Sequence, residues 1–470
     1  MFQKSLLTDG GVGQIAEALA VILERIGIMC QNREMLEALE RWGARVDHSA
    51  QIASFPPKLT ARFAEELRWE FARSSADDAP RFGGTEPPGV GTQVAQFFHD
   101  YPTGERRRGN KRDFVYMAKL GDMLHRDDGI GHSLLLTDVP PIVEPLEAAM
   151  LLAEYAHRPG PAFAWNVRQV DYLIEMGEIL GIKDWFSLGA ICFAHPLRFD
   201  RDVADRLAMM ARLGHNIGLT SMAVSGATAP VTVAGYVAMA AAEIVATWIV
   251  GRALNPKVGL GGSMWAGTLD MRTGSVSYSN PDSMYRVFAV VEFLRRWTGI
   301  TISASCGEYC DCRAPGMYAA LEKAYKSMTI AAFTGSHPGV GQGMFDNGKT
   351  ICPAQLILER ELVESLGFLG GAVEVTPETL ALDTMLEIGF GTKRYYLDSD
   401  HTFGHFRDAL WCPQIIDRSG WKGAESERET MLKCQAKADA LVAGHEMPKV
   451  DPGKLAAMRK VVERAARELQ

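Results

Sequence analysis

Apolar positions recur along this chain with two different periods. Between residues 12 and 45 they fall at helical spacing: Ile15, Leu19, Ile22, Leu23 and Ile26, then Met35, Leu36, Leu39 and Trp42 after a short break. The run FPPKLTARFAEELRWEFARS repeats the pattern, with Pro56 and Pro57 opening a helix and Phe63, Leu67 and Phe71 on one face. These stretches predict a helical N-terminal region over residues 1–76. From Asp77 to Lys111 the chain turns Gly-, Pro- and aromatic-rich, which predicts short strands and loops. Residues 77–130 are therefore expected to be an irregular segment packed on the domain C-terminal to it.

After residue 130 a rhythm of short apolar runs and helical segments sets in. HSLLLTDV precedes PIVEPLEAAMLLAEYA, AFAWNV precedes QVDYLIEMGEIL, and WFSLGAICFA precedes DVADRLAMMARL. IGLTSMAVS, VGLGGSMWA, TISASC and TIAAFTG each lead a further helical stretch. Continuous rather than alternating apolar strands imply sheets covered on both faces. About seven βα units in succession favour a closed (β/α)8 TIM barrel over an open sheet. The eighth strand has no obvious apolar run. The expected fold is thus α/β: a barrel over 131–425, an N-terminal helical extension, and C-terminal helices over 426–470. The C-terminal part reads as helical apart from the polar stretch YYLDSDHTFGHFRDALWCPQIID, and the charged tail from Ser426 as a peripheral helix pair.

The stretch from Ile217 to Ser283 organises this pattern: strand, Gly-marked turn, long helix, strand and polar loop. Gly226 to Thr232 is built of small residues, with Pro230 suited to a first helical turn and Thr228 or Ala229 near the N-cap. Small residues opening a helix let a ligand approach the backbone, or provide room for a tight joint.

Composition narrows the classes. The chain has 470 residues, 47% of them hydrophobic, enough for a sizeable core. A net charge of −8 argues against nucleic acid as the main partner. The one basic run, RRRGNKR at 106–112, reads as a solvated loop. Pro230, Gly235 and Glu243 interrupt the longest apolar run, Ala223 to Val250, so no membrane span is expected. The N-terminus lacks a signal core. A cytoplasmic protein with reduced thiols, and a homo-oligomer, are the expectations.

Candidate chemistry lies in the loops after the expected strands. Cys306, Cys310 and Cys312, with Cys352 further on, lack the paired C-x2-C form of structural zinc sites, and free thiols are the default. His195, His337, His401 and His405 lie in or near loops. The last two, four apart, share one face if helical, and hydrogen-bonded packing is favoured over metal. GVGQG at 339–343 lacks the Lys-Ser/Thr of a phosphate loop. Phe82, Tyr101, Trp165, Trp265, Tyr309, Phe345 and Tyr396 are expected off helices, where aromatic rings can cage a quaternary ammonium through cation–π attraction.

Several segments, in matching order over nearly the whole chain, resemble the trimethylamine methyltransferase family. They are GATAPVTVAG, NPKVGLGGSMWAGTLDMRTGSVSYSNPD, CDCRAPGMYAALEKAY, GQGMFDNGKTICPAQLILERELV and DSDHTFGHFRDALWCPQIIDR. The resemblance implies a (β/α)8 barrel and methyl transfer from a methylated amine to the cobalt of a corrinoid (cobalamin) on a separate protein, with no metal bound by this chain. Family members that use pyrrolysine carry it near the barrel centre; Asn347 stands near that position here. Members without it resemble betaine and carnitine methyltransferases, so a quaternary amine similar to glycine betaine is the implied substrate. Trp165, Trp265, Tyr309 and Phe345 then form the cation pocket, with His337 near it and Asp311 or Asp346 balancing charge. Arg313 or Lys349 holds a substrate carboxylate or is solvated surface. Gly226, Thr228 and Thr232, with Asp270 and Arg272, border the entry of the corrinoid. Around Cys310 the chain departs from the family: Asp311 and Pro315 persist, Arg313 replaces a Lys, Gly316 an acid and Tyr318 a Gln. Two further readings are a zinc-assisted thiol methyltransferase using Cys306, Cys310 and Cys312, and a non-catalytic betaine-binding homologue.

Overall fold

A computed structural model describes residues 5–71, 89–127, 129–304, 307–334, 339–369 and 373–469. The first helix, α1 (Asp9–Arg25), starts where the Thr8 hydroxyl accepts the Gly11 N–H, and it buries Ile15, Leu19 and Leu23. β1 (Ile28–Cys30) leads to α2 (Arg33–Trp42), capped by Asn32 and stopped by Gly43 at φ 106°. β2 (Arg45–Asp47), β3 (Ile52–Ser54) and α3 (Pro57–Phe71) complete the N-terminal part.

The antiparallel pair β4 (Phe97–Asp100) and β5 (Glu105–Arg108) precedes α4 (Lys111–Leu124) and α5 (Glu144–Tyr155). Next along the chain are β6 (Ala162–Phe163), α6 (Val170–Leu180), β7 (Phe186–Ser187), β8 (Arg198–Phe199), α7 (Arg201–Leu213), β9 (Ile217–Ser221), β10 (Val224–Ser225) and α8 (Val233–Leu254). β11 (Leu260–Met264), β12 (Gly267–Leu269) and β13 (Val276–Ser277) lead to α9 (Pro281–Thr298). β14 (Ser303–Ala304), α10 (Met317–Thr334), β15 (Met344–Phe345), β16 (Thr350–Ile351) and α11 (Pro353–Leu369) come after it. The chain ends with α12 (Pro377–Leu380), α13 (Leu382–Ile388), α14 (Asp400–Ala409), α15 (Ala424–Ala443) and α16 (Pro452–Glu468).

The strands form several small sheets of mixed direction, so the molecule is α/β. Parallel pairs join β6 to β7, β9 to β11, β11 to β14 and β16 to β4. Single parallel bridges join Ala95 to Leu134 and Ile130 to Pro159. β1 pairs with β3 and with β8, which ties the N-terminal part to the segment before α7.

Two apolar cores fill the molecule. One joins α1–α3 to α7, α8 and α9; the other joins α4–α6 and α11 to α15 and α16. At the centre of the first lies α8, apolar all round, as a helix enclosed on every side should be. Among the described residues it alone has the length and composition to cross a membrane, and here the chain's own α1, α2, α9 and β9 sheathe it. Its Glu243 is fully buried and accepts from His195 Nδ1 at 2.8 Å and from the Leu197 N–H at 2.8 Å.

Five expectations are corrected. TIAAFTG is the last turn and a half of α10, not a strand, up to Thr334; a six-residue apolar run reads equally as a buried helix. Pro230 precedes α8 rather than entering it, because residues 224–229 are spent on β10 and a turn in which the Thr228 hydroxyl accepts the Val224 N–H at 2.8 Å. Within the basic run, Arg106–Arg108 lie in β5, and Arg107 binds Asp113 at 2.8 Å with Asp100 and Glu105 beside it. The tail is not peripheral, since Met431, Cys434, Met458 and Val461 lie in the second core. The polar stretch before it contains α14.

Candidate active site

A cavity of about 730 Å3 opens among the loops after β9, β12 and β14 and the turn between β15 and β16. Its wall includes Asp270, Tyr278, Tyr309, Asp311, Arg313, Asp346, Asn347 and Lys349. The size suits a small ligand. Asp270, Tyr309, Asp311, Arg313, Asp346 and Asn347 were all expected at the site, and they meet here although 77 residues separate the outermost.

The turn from Asp346 to Lys349 is set by its sequence. Asn347 and Gly348 take φ 52° and 75°, and the Lys349 N–H donates to the Asp346 carbonyl at 3.2 Å. That is the Asn-Gly hairpin turn whose central residues both need positive φ. Asp346 also has φ 52°, an uncommon conformation for a residue with a side chain. Backbone bonds clamp it: the Asp346 N–H donates to the Cys312 carbonyl at 2.8 Å and that of Asn347 to the Cys310 carbonyl at 2.9 Å. Gly348 lies under the Tyr309 ring, where a Cβ would come within 2.1 Å of a ring carbon. Arg106 fixes the Asp346 carboxylate at 3.0 Å and the Thr350 hydroxyl at 3.0 Å.

The aromatic groups meet at Tyr309. Trp265 approaches it edge-on at 4.7 Å and Tyr278 at 5.5 Å. Three buried polar atoms at this site, Trp265 Nε1, Asp311 Oδ1 and Asn347 Oδ1, find no hydrogen-bond partner among the described residues. A buried polar atom without a partner costs roughly 1–3 kcal/mol. Three together mark a place that a ligand or water completes.

The residues that hold the wall were not assigned to the site from the sequence, although His195 was among the candidate loop histidines. Glu322, on α10, accepts the Asp311 N–H at 2.7 Å and the Ser279 hydroxyl at 3.3 Å, tying two loops together. His195 Nε2 accepts the Met222 N–H at 3.3 Å while its Nδ1 faces Glu243, so a buried carboxylate orients the Met222 wall through one imidazole. Gln96, Ser277 and Asn280 also line the cavity; nothing in their spacing signals it.

Other expected residues fall elsewhere. Trp165 stacks on Phe163 and donates Nε1 to Glu144 at 2.7 Å, away from the cavity wall. Phe345 is fully buried, edge-on to His99. His337, Cys306 and Phe82 lie outside the described residues. Burial pushes the Cys310 thiol up to about 12 and raises Cys312 as well, so neither is a ready thiolate. Among the described residues, the one gathering of three metal-competent side chains is Asp122, His157 and His445, outside the cavity. Both imidazoles there bind the same carboxylate oxygen, at 2.7 and 3.1 Å, and staple the tail to α4.

The Gly226–Thr232 turn stands beside the Asp270 rim. Gly226 has φ 85°, and a Cβ there would meet the Met271 methyl at 2.7 Å. Arg286 holds the turn from below, with Nε on the Ser225 hydroxyl at 3.0 Å and Nη2 on the Val231 carbonyl at 2.6 Å. Val231, Met271 and Arg272 are exposed, and Thr232 caps α8 without a side-chain bond. The Asp270 carboxyl accepts the Arg272 N–H and the Thr273 hydroxyl, which hold it below the usual carboxylate range.

A concave site with both signs of charge, aromatic edges and unspent polar atoms suits a small polar ligand. Comparison with known proteins specifies the class. Residues 3–470 match the family described as trimethylamine methyltransferase (MTTB), and the chain belongs to that family and is a methyltransferase. It is 25% identical to trimethylamine methyltransferase MttB2 of Methanosarcina mazei, over 98% of this chain and 95% of the relative. Two proteins of Desulfitobacterium hafniense are each 23% identical. Trimethylamine methyltransferase MttB aligns over 94% of this chain and 90% of its own, and glycine betaine methyltransferase over 95% and 94%.

Proposed function

We propose that the chain moves a methyl group from a quaternary amine similar to glycine betaine to the Co(I) of a corrinoid protein. One observation carries the substrate reading: the cavity opposes both charges of a betaine. Asp311 and Asp346 stand with Tyr309 and Tyr278 for the ammonium, and Arg313 and Lys349 for the carboxylate. The exposed Val231 and Met271, with the Arg272 guanidinium, fit a large amphipathic macrocycle at the cavity rim. Gly226, Thr228, Thr232, Asp270 and Arg272 are the residues that would hold it. When bound, the corrinoid supplies the reduced cobalt that takes up the methyl group.

The chain's own task is binding, orientation and exclusion of water. A quaternary nitrogen departs as a neutral tertiary amine, so no side chain has to deliver a proton. Asp311 balances the cation, Asn347 and Trp265 offer the polar atoms left without partners, and Arg106 keeps the Asp346 carboxylate at the rim. The test is purified chain with reduced corrinoid protein and a panel of quaternary amines. Methylcobalamin absorbance with a betaine is expected; its absence across the panel overturns the proposal, and tight betaine binding without it favours a binding homologue.

We also infer that the parallel pairings are arcs of one (β/α)8 barrel. Its strands would run from β4 through Leu134, β6, β7, β9, β11 and β14 to β16, which returns to β4. The barrel then begins near Ala95, inside the stretch expected to be irregular, with the N-terminal helices and the α15–α16 tail packed outside it.

A further inference from the structure

A second cavity, of about 340 Å3, lies where the β4–β5 hairpin meets α4 and α15. Neighbouring residues of a strand face opposite ways, and β5 serves both cavities by this alternation. Arg106 reaches the Asp346 carboxylate of the active site, while Arg107 lines the second cavity. Arg112, Tyr116 and Lys119 follow one face of α4, and Gln435, Asp439 and Val442 one face of α15, both at i, i+4, i+7 spacing. Polar side chains brought into a helix contact are costly unless each finds a partner.

Some of these groups are spent and some are not. Arg107 is spent: its Nε and Nη2 donate to Asp113 at 3.0 and 2.8 Å, with Asp100 and Glu105 beside Nη1. Tyr116 Oη donates to Asp439 Oδ1 at 2.7 Å, and burial followed by the Asp439 charge pushes its pKa up, so it stays a donor. Gln435 is only 9% exposed. Its Nε2 donates to the same Asp439 oxygen at 2.9 Å and to Tyr116 Oη at 3.2 Å. Those bonds fix the amide, because a flip would set its carbonyl oxygen against a carboxylate oxygen. Gln435 Oε1 is therefore a buried acceptor, and it has no partner among the described residues. Nearer solvent, Arg112 and Lys119 make no ion pair among the described residues, and the Lys119 ammonium sits 5.3 Å from the centre of the Tyr155 ring.

An orphaned acceptor calls for a donor, and two uncommitted cations call for an anion. We propose that this cavity binds a small amino-acid zwitterion whose ammonium carries at least one N–H. The ammonium donates to Gln435 Oε1 beside the Asp439 carboxylate, the ligand carboxylate pairs with Arg112 and Lys119, and Phe98 and Val442 flank its carbon atoms. A quaternary ammonium has no N–H and leaves Gln435 unsatisfied. The second cavity thus selects against the class of amine that aromatic edges and carboxylates suit in the active site, and it does so whichever amine donates the methyl group.

The experiment is isothermal titration calorimetry on the full chain with glycine, N,N-dimethylglycine and glycine betaine, probes that differ only in methylation at nitrogen. Glycine and N,N-dimethylglycine are expected to bind the wild type at millimolar concentration. Their affinity should fall about tenfold or more in Gln435→Met and in Arg112→Ser, since each variant loses a bond to a charged group. Glycine betaine should respond to neither substitution. Arg112 is exposed, so Arg112→Ser decides should Gln435→Met fail to fold, with far-ultraviolet circular dichroism as the check. Absence of binding by both N–H amines, an affinity left unchanged in either folded variant, or a glycine betaine affinity that falls with theirs overturns the proposal.

Discussion

Two charged assemblies are built from the same elements and differ in one respect. Below the cavity, Lys323 on α10 lies fully buried between Glu308 and Glu359, at 2.9 and 2.7 Å. Glu308 also accepts the N–H groups of Gln342 and Met344, and Glu359 that of Gly343. The glycine-rich turn that resembles a phosphate cradle is thus filled by the chain's own carboxylates. Burial opposes the Lys323 charge, but the two glutamates outweigh it and raise its pKa; burial raises that of Glu359. Asp311 and Asn347 of the cavity wall, and Trp265 packed against Tyr309, keep polar atoms with no partner among the described residues. A closed network spends every donor and acceptor on the fold. An open one holds some back, and those are the atoms available to a substrate.

The contrast is broken most forcefully at Lys323. Lys323→Met leaves two buried carboxylates facing each other, and urea unfolding should show a loss of about 3–5 kcal/mol. Asp311→Asn should leave unfolding within ~0.5 kcal/mol of wild type. Its kcat/KM for methyl transfer from a quaternary amine should fall about thirtyfold, the equivalent of ~2 kcal/mol of cation binding. Glu322→Gln touches only the support of the Asp311 loop, and a rise in KM of about fivefold, near 1 kcal/mol, is expected with kcat little changed. Native-state alkylation should be the mildest probe. The exposed Cys412 should react near neutral pH while Cys310, buried and pushed up to about 12, should not. Rapid labelling of Cys310 would mean that the closed assembly opens in solution.

Much of the cavity was legible because loops after apolar strands concentrate chemistry. Asp270, Tyr309, Asp311, Arg313, Asp346 and Asn347 were found that way, with the family resemblance choosing among loop residues. Trp165 and Phe345 were misplaced because a loop aromatic carries no sign of which partner it packs on, and theirs are Phe163 and His99. The Lys323 network was illegible because its glutamates lie 15 residues before it and 36 after, a separation no local pattern reports. β15 and β16 escaped because two-residue strands carry no periodicity, and TIAAFTG misled because helix and strand share an apolar run of that length.

The Glu361 carboxylate on α11 accepts the backbone N–H groups of Gln414, Ile415 and Ile416, and this anchor has a consequence for topology. Because this carboxylate fixes residues 414–416 on α11, the chain that leaves α11 after Leu369 is brought back only eight residues upstream on the same helix. Eight helical residues rise roughly 12 Å. A linker of about four to six residues spans that distance. The whole excursion is therefore closed at its base: both ends meet on one helix, and neither apolar core draws a residue from 373–413.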